Sequence, residues 1–112
     1  MSDIQSAEDT AAELRARWPD APIQLGIGTF DVSFDEYNRT RVRLWQYPID
    51  GTDDWRWACD ASHRDHAAET DGHRTVVAAA EAGLRALVAS FRAQAEAMAG
   101  RIGKILGEAA TE

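Results

Sequence analysis

The residues best equipped for chemistry cluster tightly. Cys59, His63, His66 and His73 gather the single cysteine and all three histidines of the chain into fifteen positions, with Asp60, Asp65 and Asp71 among them. Thiolate and imidazole are the ligand types zinc prefers. The spacing Cys-x3-His-x2-His-x6-His fits no standard zinc finger, however, and a cysteine at a strand end can equally point into a core. The expectation is therefore solvated loop histidines, with no metal and no cofactor.

A second group is aromatic and basic. Arg41, Arg43, Trp45, Tyr47, Trp55 and Trp57 alternate along two short β-type stretches. Exposed clusters of Trp, Tyr and Arg mark binding hot spots, and aromatics on a sheet can also stack bases. These six are the expected partner-binding residues, provided that no helix covers their face. On that reading Trp57→Ala weakens binding and leaves stability nearly unchanged.

Catalytic signatures are missing from the sequence. It has no Gly-x-Ser-x-Gly elbow, phosphate-binding Gly-rich loop or His-Glu-x-x-His helix, and Gly26-Ile27-Gly28 lacks the rest of a dinucleotide fingerprint. Asp31 and Asp35 would face Arg41 and Arg43, which suits ion pairing better than acid–base work. The expectation is a protein that is not an enzyme.

These groups must be carried by a small set of elements. Ile4, Ala7, Ala11, Leu14 and Trp18 repeat at helical spacing up to Pro19, with Ser2 or Ser6 as the cap. From Ile23 to Asp60 the period is two, which predicts a three-stranded antiparallel meander over 23–35, 41–49 and 55–60, with Gly28 at a bulge. A turn centred near Asn38 puts Phe34 opposite Val42, Val32 opposite Leu44 and Asp35 opposite Arg41; the next turn puts Tyr47 opposite Trp57. Phe30, Val32, Phe34, Val42, Leu44 and Ala58 then form the core face. Asp31, Ser33, Asp35, Arg41, Arg43, Trp45, Tyr47, Trp55, Trp57 and Cys59 fall on the other.

Residues 61–72 read as a polar connection. From 73 to 106, Val77, Ala80, Leu84, Leu87, Val88, Phe91, Ala95, Met98, Ile102 and Ile105 form one helical apolar stripe, capped by Thr70 or Asp71. Such a helix is on the order of 50 Å long and overhangs a small domain. Either it breaks near Gly100, Gly103 and Gly107, or its second half packs on another chain. The persistence of the stripe favours the latter, a homodimer through Phe91, Ala95, Met98, Ile102 and Ile105.

The 112 residues fit one α+β domain, 1–112, with net charge −7. Residues 1–72 carry 7 basic and 15 acidic side chains, net −8, and residues 73–112 carry 5 and 4, net +1. This balance opposes phosphate binding and suits a basic protein partner. A polar acidic start, one cysteine and no apolar run near membrane-spanning length lead to the expectation of a cytoplasmic chain with no membrane partner.

The order α-β-β-β-α, with Ala78-Ala79-Ala80-Glu81-Ala82-Gly83-Leu84-Arg85-Ala86-Leu87 opening the last helix, resembles the double-stranded-RNA-binding fold over about residues 7–92. The lysine cluster that family uses on phosphates is missing here, so the resemblance implies topology and not RNA binding. In size and acidity the chain is also similar in type to phage-encoded inhibitors of host defence nucleases, the anti-CRISPR proteins included. The sequence thus points to an acidic protein-binding module, an inhibitor of that type or a regulator. A nucleic-acid binder using the aromatic and arginine face, and a structural subunit of a larger assembly, are the alternatives.

Overall fold

The computed structural model describes residues 5–35 and 39–107. Along the chain run α1 (Ala7–Arg17), β1 (Ile23–Leu25), β2 (Thr29–Ser33), β3 (Thr40–Pro48), β4 (Trp55–His63), β5 (His66–His73) and α2 (Val76–Ile105). The strands form one five-stranded antiparallel sheet in sequential order. The α+β layout is as expected. The strand number is not three, and the α-β-β-β-α order of the double-stranded-RNA-binding fold is not the order observed.

Two features of the chain account for the extra strands. The change of parity at Gly28 marks a chain reversal and not a bulge: Leu25 pairs with Phe30, and Gly28 takes φ 72°, a conformation open to glycine at little cost. The stretch 61–72 continues β4 to His63, turns at Arg64 (φ 55°) and returns as β5. Within β5 only Thr70 is β-branched, so propensity gave no warning of a strand. Helix α1 starts at Ser6, whose Oγ accepts the Asp9 N–H at 3.1 Å, and buries Ala11 and Leu14. Ser2, Ile4 and Asn38 lie outside the described residues.

Register decides which side chains face the core. Val32 pairs with Val42 and Phe30 with Leu44, two residues away from the expected pairing: the Phe34 N–H donates to the Thr40 carbonyl at 2.9 Å, and the Asp35 carboxylate accepts the N–H groups of Arg39 (2.7 Å) and Thr40 (3.2 Å). An even shift leaves the faces unchanged. The next pairing is off by one: Tyr47 faces Arg56, Gln46 faces Trp57 and Trp45 faces Ala58. The Ile49 N–H donates to the Asp54 carbonyl at 2.9 Å, so the loop closes on an even number of residues. A slip of one residue exchanges the faces of a strand. Trp57 and Cys59 are therefore in the core, 1% and 0% exposed, and Ala58 is on the opposite side.

Both helices cover that one face. Leu14 of α1 and Val76, Ala79, Ala80 and Leu87 of α2 share a single cluster with Phe30, Val32, Val42, Leu44, Trp57, Cys59 and Ala61. Arg17 of α1 is tied to Glu81 of α2 at 2.9 Å. The close approach of α2 depends on Gly83, where a Cβ would collide with the Cys59 sulfur and come within 3.3 Å of the Ala61 Cβ.

Helix α2 begins at Thr75, whose Oγ1 accepts the Ala78 N–H at 3.1 Å, and not at Thr70 or Asp71, which belong to β5. Phe91 packs partly against the core, and from Arg92 to Ile102 every residue is exposed. The helix runs unbroken through Gly100 and Gly103, each about 1 kcal/mol worse than Ala in a helix interior. It ends at Gly107, φ 75°. Its projecting end contributes to molecular extents of 59 × 37 × 21 Å.

Two stability measurements check this core. Trp57→Ala should cost about 3–5 kcal/mol in urea unfolding, the range for truncating a buried aromatic. Gly83→Ala should lose about 1–3 kcal/mol through overpacking despite its better helix propensity, and the loss should shrink in a Cys59→Ala background.

Candidate functional site

With both helices on one side, the other face of the sheet has no helix over it among the described residues. Strand alternation presents Asp31 from β2, Arg41, Arg43, Trp45 and Tyr47 from β3, and Arg56, Ala58 and Asp60 from β4, with Glu69 from β5. Arg41 and Arg43 are exposed; Trp45 and Tyr47 are partly buried. Trp45 crosses to Ala58, whose small side chain leaves a depression of about 290 Å³ bounded also by Glu69, Thr70 and Asp71.

The polar groups here are arranged in pairs. Arg43 Nε donates to Asp31 Oδ1 at 3.0 Å, and this hydrogen bond together with the Asp31 charge pulls the guanidinium pKa up from its ordinary value. The Tyr47 hydroxyl accepts the Gly72 N–H at 2.8 Å, at the point where Gly72 takes φ 80° and the β4–β5 register shifts. Asp35, expected opposite Arg41, instead holds the loop before β3.

Four of the six residues expected on this surface are there: Arg41, Arg43, Trp45 and Tyr47. Trp57 is removed to the core by the β3–β4 register, tilted against Phe30 with ring centroids 6.0 Å apart. Trp55 shares the side of Trp57 by alternation and is partly buried at the strand's start. Arg56, missed for the same reason, takes its place on the open face, 4.0 Å from Asp54.

The Cys–His group is dispersed by the fold. Cys59 is enclosed beneath Gly83, and burial, followed by the nearby Asp60 charge, pushes its thiol up to about 12. His63 Nδ1 lies 2.6 Å from Thr40 Oγ1. The rings of His63 and His66 stand edge-on to Phe91, with centroids 5.6 and 4.6 Å away. His73 lies opposite Trp57 at the far end of β5. Among the described residues no three His, Cys, Asp or Glu side chains come together to hold a metal.

Two further apolar surfaces lie among the described residues. One is the projecting half of α2, where Met98, Ile102 and Ile105 are 58%, 52% and 82% exposed. The other is a cleft of about 530 Å³ between the end of α1 and β2, lined by Trp18, Pro22 and Phe34. Trp18 and Phe34 meet edge to face at 5.2 Å, and Arg17 lies 4.9 Å over the indole. The sequence signal for this cleft was only the Trp-Pro boundary of α1. No described helix is long and apolar enough to cross a membrane. No family model, no curated protein and no solved structure matches this chain.

The raised Cys59 pKa has a measurable sign. In the unfolded chain the thiol titrates near its ordinary 9.0, so above that pH unfolding releases a proton that the fold retains. Stability should fall as the pH climbs from about 9 toward 12, and this part of the dependence should vanish in Cys59→Ala when both are followed by urea unfolding.

Proposed function

We propose that this protein is a non-enzymatic, acidic binding module that grips a protein partner through the open face of its sheet. The observation that carries the reading is the one-sided layering. Both helices pack on the face holding Trp57 and Cys59, and the opposite face displays Arg41, Arg43, Trp45 and Tyr47 beside a shallow depression. Aromatic side chains on a rigid sheet are strong anchors because, with two torsions each, they lose little conformational freedom on docking, and arginine adds directional hydrogen bonds.

Charge selects the class of partner. Arg43 is engaged by Asp31, and Asp60 and Glu69 share the same face. The chain as a whole carries −7. The face itself balances Arg41, Arg43 and Arg56 against Asp31, Asp60 and Glu69, so it is the field of the whole acidic chain that opposes a phosphate backbone and steers in a protein with a basic groove. Occupying the basic channel of a host defence nuclease, as an anti-CRISPR type of inhibitor, is one concrete form of this function; a regulator acting in the cytoplasm is another.

The test is affinity capture from the native cytosol, with recovered protein and nucleic acid both quantified, for the unmodified chain and for Trp45→Ala and Arg43→Glu. A protein retained in stoichiometric amount should be lost by about 30-fold or more in affinity on Trp45→Ala, the scale of a hot-spot truncation. Circular dichroism should show an intact fold in both variants. Nucleic acid recovered in place of protein, or protein binding indifferent to both substitutions, overturns the reading.

A further inference from the structure

The projecting half of α2 carries a regular seam. Val88, Phe91, Ala95, Met98, Ile102 and Ile105 follow one another at alternating intervals of three and four residues, the a/d spacing of a coiled coil. It continues the contact that α2 makes with its own sheet through Val76, Ala79, Ala80, Gly83 and Leu87, and Phe91 is shared between the two, packing against the core with its ring beside His63 and His66. Apart from Phe91 the seam is exposed, Val88 at 46% and Ile105 at 82%.

We infer that this seam is the interface of a homodimer in which two α2 helices run antiparallel, overlapping from Val88 to Ile105. Antiparallel layers place Val88 of each copy against Ile105 of the other, Phe91 against Ile102, and Ala95 against Met98. Ala95, the smallest residue of the seam, then faces the long Met98 side chain, which close packing favours. A parallel pair would stack Ala95 on Ala95 and Phe91 on Phe91.

Charge complementarity points the same way. The projecting segment, residues 92–107, carries 3 basic side chains (Arg92, Arg101, Lys104) and 1 acidic (Glu96), whereas residues 1–72 carry net −8. Antiparallel pairing lays the basic end of each helix toward the acidic body of the other copy. Parallel pairing sets basic end beside basic end and acidic body beside acidic body. Opposed helix dipoles add to the antiparallel preference. The interface lies on a different element from the open sheet face, so it stands independently of the proposed function.

The experiment uses the full chain. Light scattering should give twice 12.3 kDa, and Ile102→Asp or Ile105→Asp should give the monomer mass with the circular dichroism of the folded body retained. Orientation is read by oxidation of cysteine variants, since Cys59 is enclosed. A mixture of Val88→Cys and Ile105→Cys should cross-link into a mixed disulfide dimer. Ile105→Cys alone should not, because its two copies would stand about 25 Å apart along the helix axis. A monomeric unmodified chain, a dimer that survives both Asp substitutions, or a self-linked Ile105→Cys dimer overturns the inference.

Discussion

Trp45 on β3 lies opposite Ala58 on β4 in the middle of the sheet, and because side chains alternate along a strand, this one pairing assigns every residue of both strands to a face. Val42, Leu44, Trp57, Cys59 and Ala61 go to the side that the helices cover; Arg41, Arg43, Tyr47, Arg56 and Asp60 go to the other. The loop from Ile49 to Asp54 holds the pairing in place through the Ile49–Asp54 backbone hydrogen bond and the Thr52 hydroxyl, which donates to the Ile49 carbonyl and accepts the Asp54 N–H. The largest core side chain, Trp57, thus depends on a short polar loop at the sheet's end.

Helix α2 answers to two environments in turn. Its first half is shaped by the sheet, with small residues Ala79, Ala80 and Gly83 allowing the backbone down onto Cys59 and Ala61. Its second half meets no part of the described body beyond Phe91. Fourteen residues including two glycines would fray as an isolated helix in water. The same residues are ordered more cheaply as the continuation of a helix already nucleated on the sheet, because propagation costs less than nucleation.

Much of this was legible in the residues. The change of hydrophobic period separated helix from sheet, the stripe from Val77 to Ile105 outlined α2 and its overhang, and Arg41, Arg43, Trp45 and Tyr47 were placed together on one face. What escaped notice has physical causes. The Ile27-Gly28 reversal resembles a bulge, since both change the parity of the apolar residues. Strand β5 is held by pairing with β4 and by the helix above it, not by the propensities of His66, Ala67, Ala68 and Glu69. The position of Trp57 turned on whether one loop closes with an odd or an even number of residues, which composition does not encode. Asp50, Gly51, Thr52 and Asp53 suit either.

The one-sided layering has a consequence for how this chain can change over generations. A residue under the helices is constrained by close packing, as Gly83 and Cys59 are by each other. A residue on the bare side is constrained chiefly by the strand's need for a residue that tolerates extended backbone. Arg41, Arg43 and Glu69 can therefore be exchanged almost freely without disturbing the architecture, and Trp45 needs only the small Ala58 beside it. A fold divided in this way can keep its frame while the residues of its bare face vary.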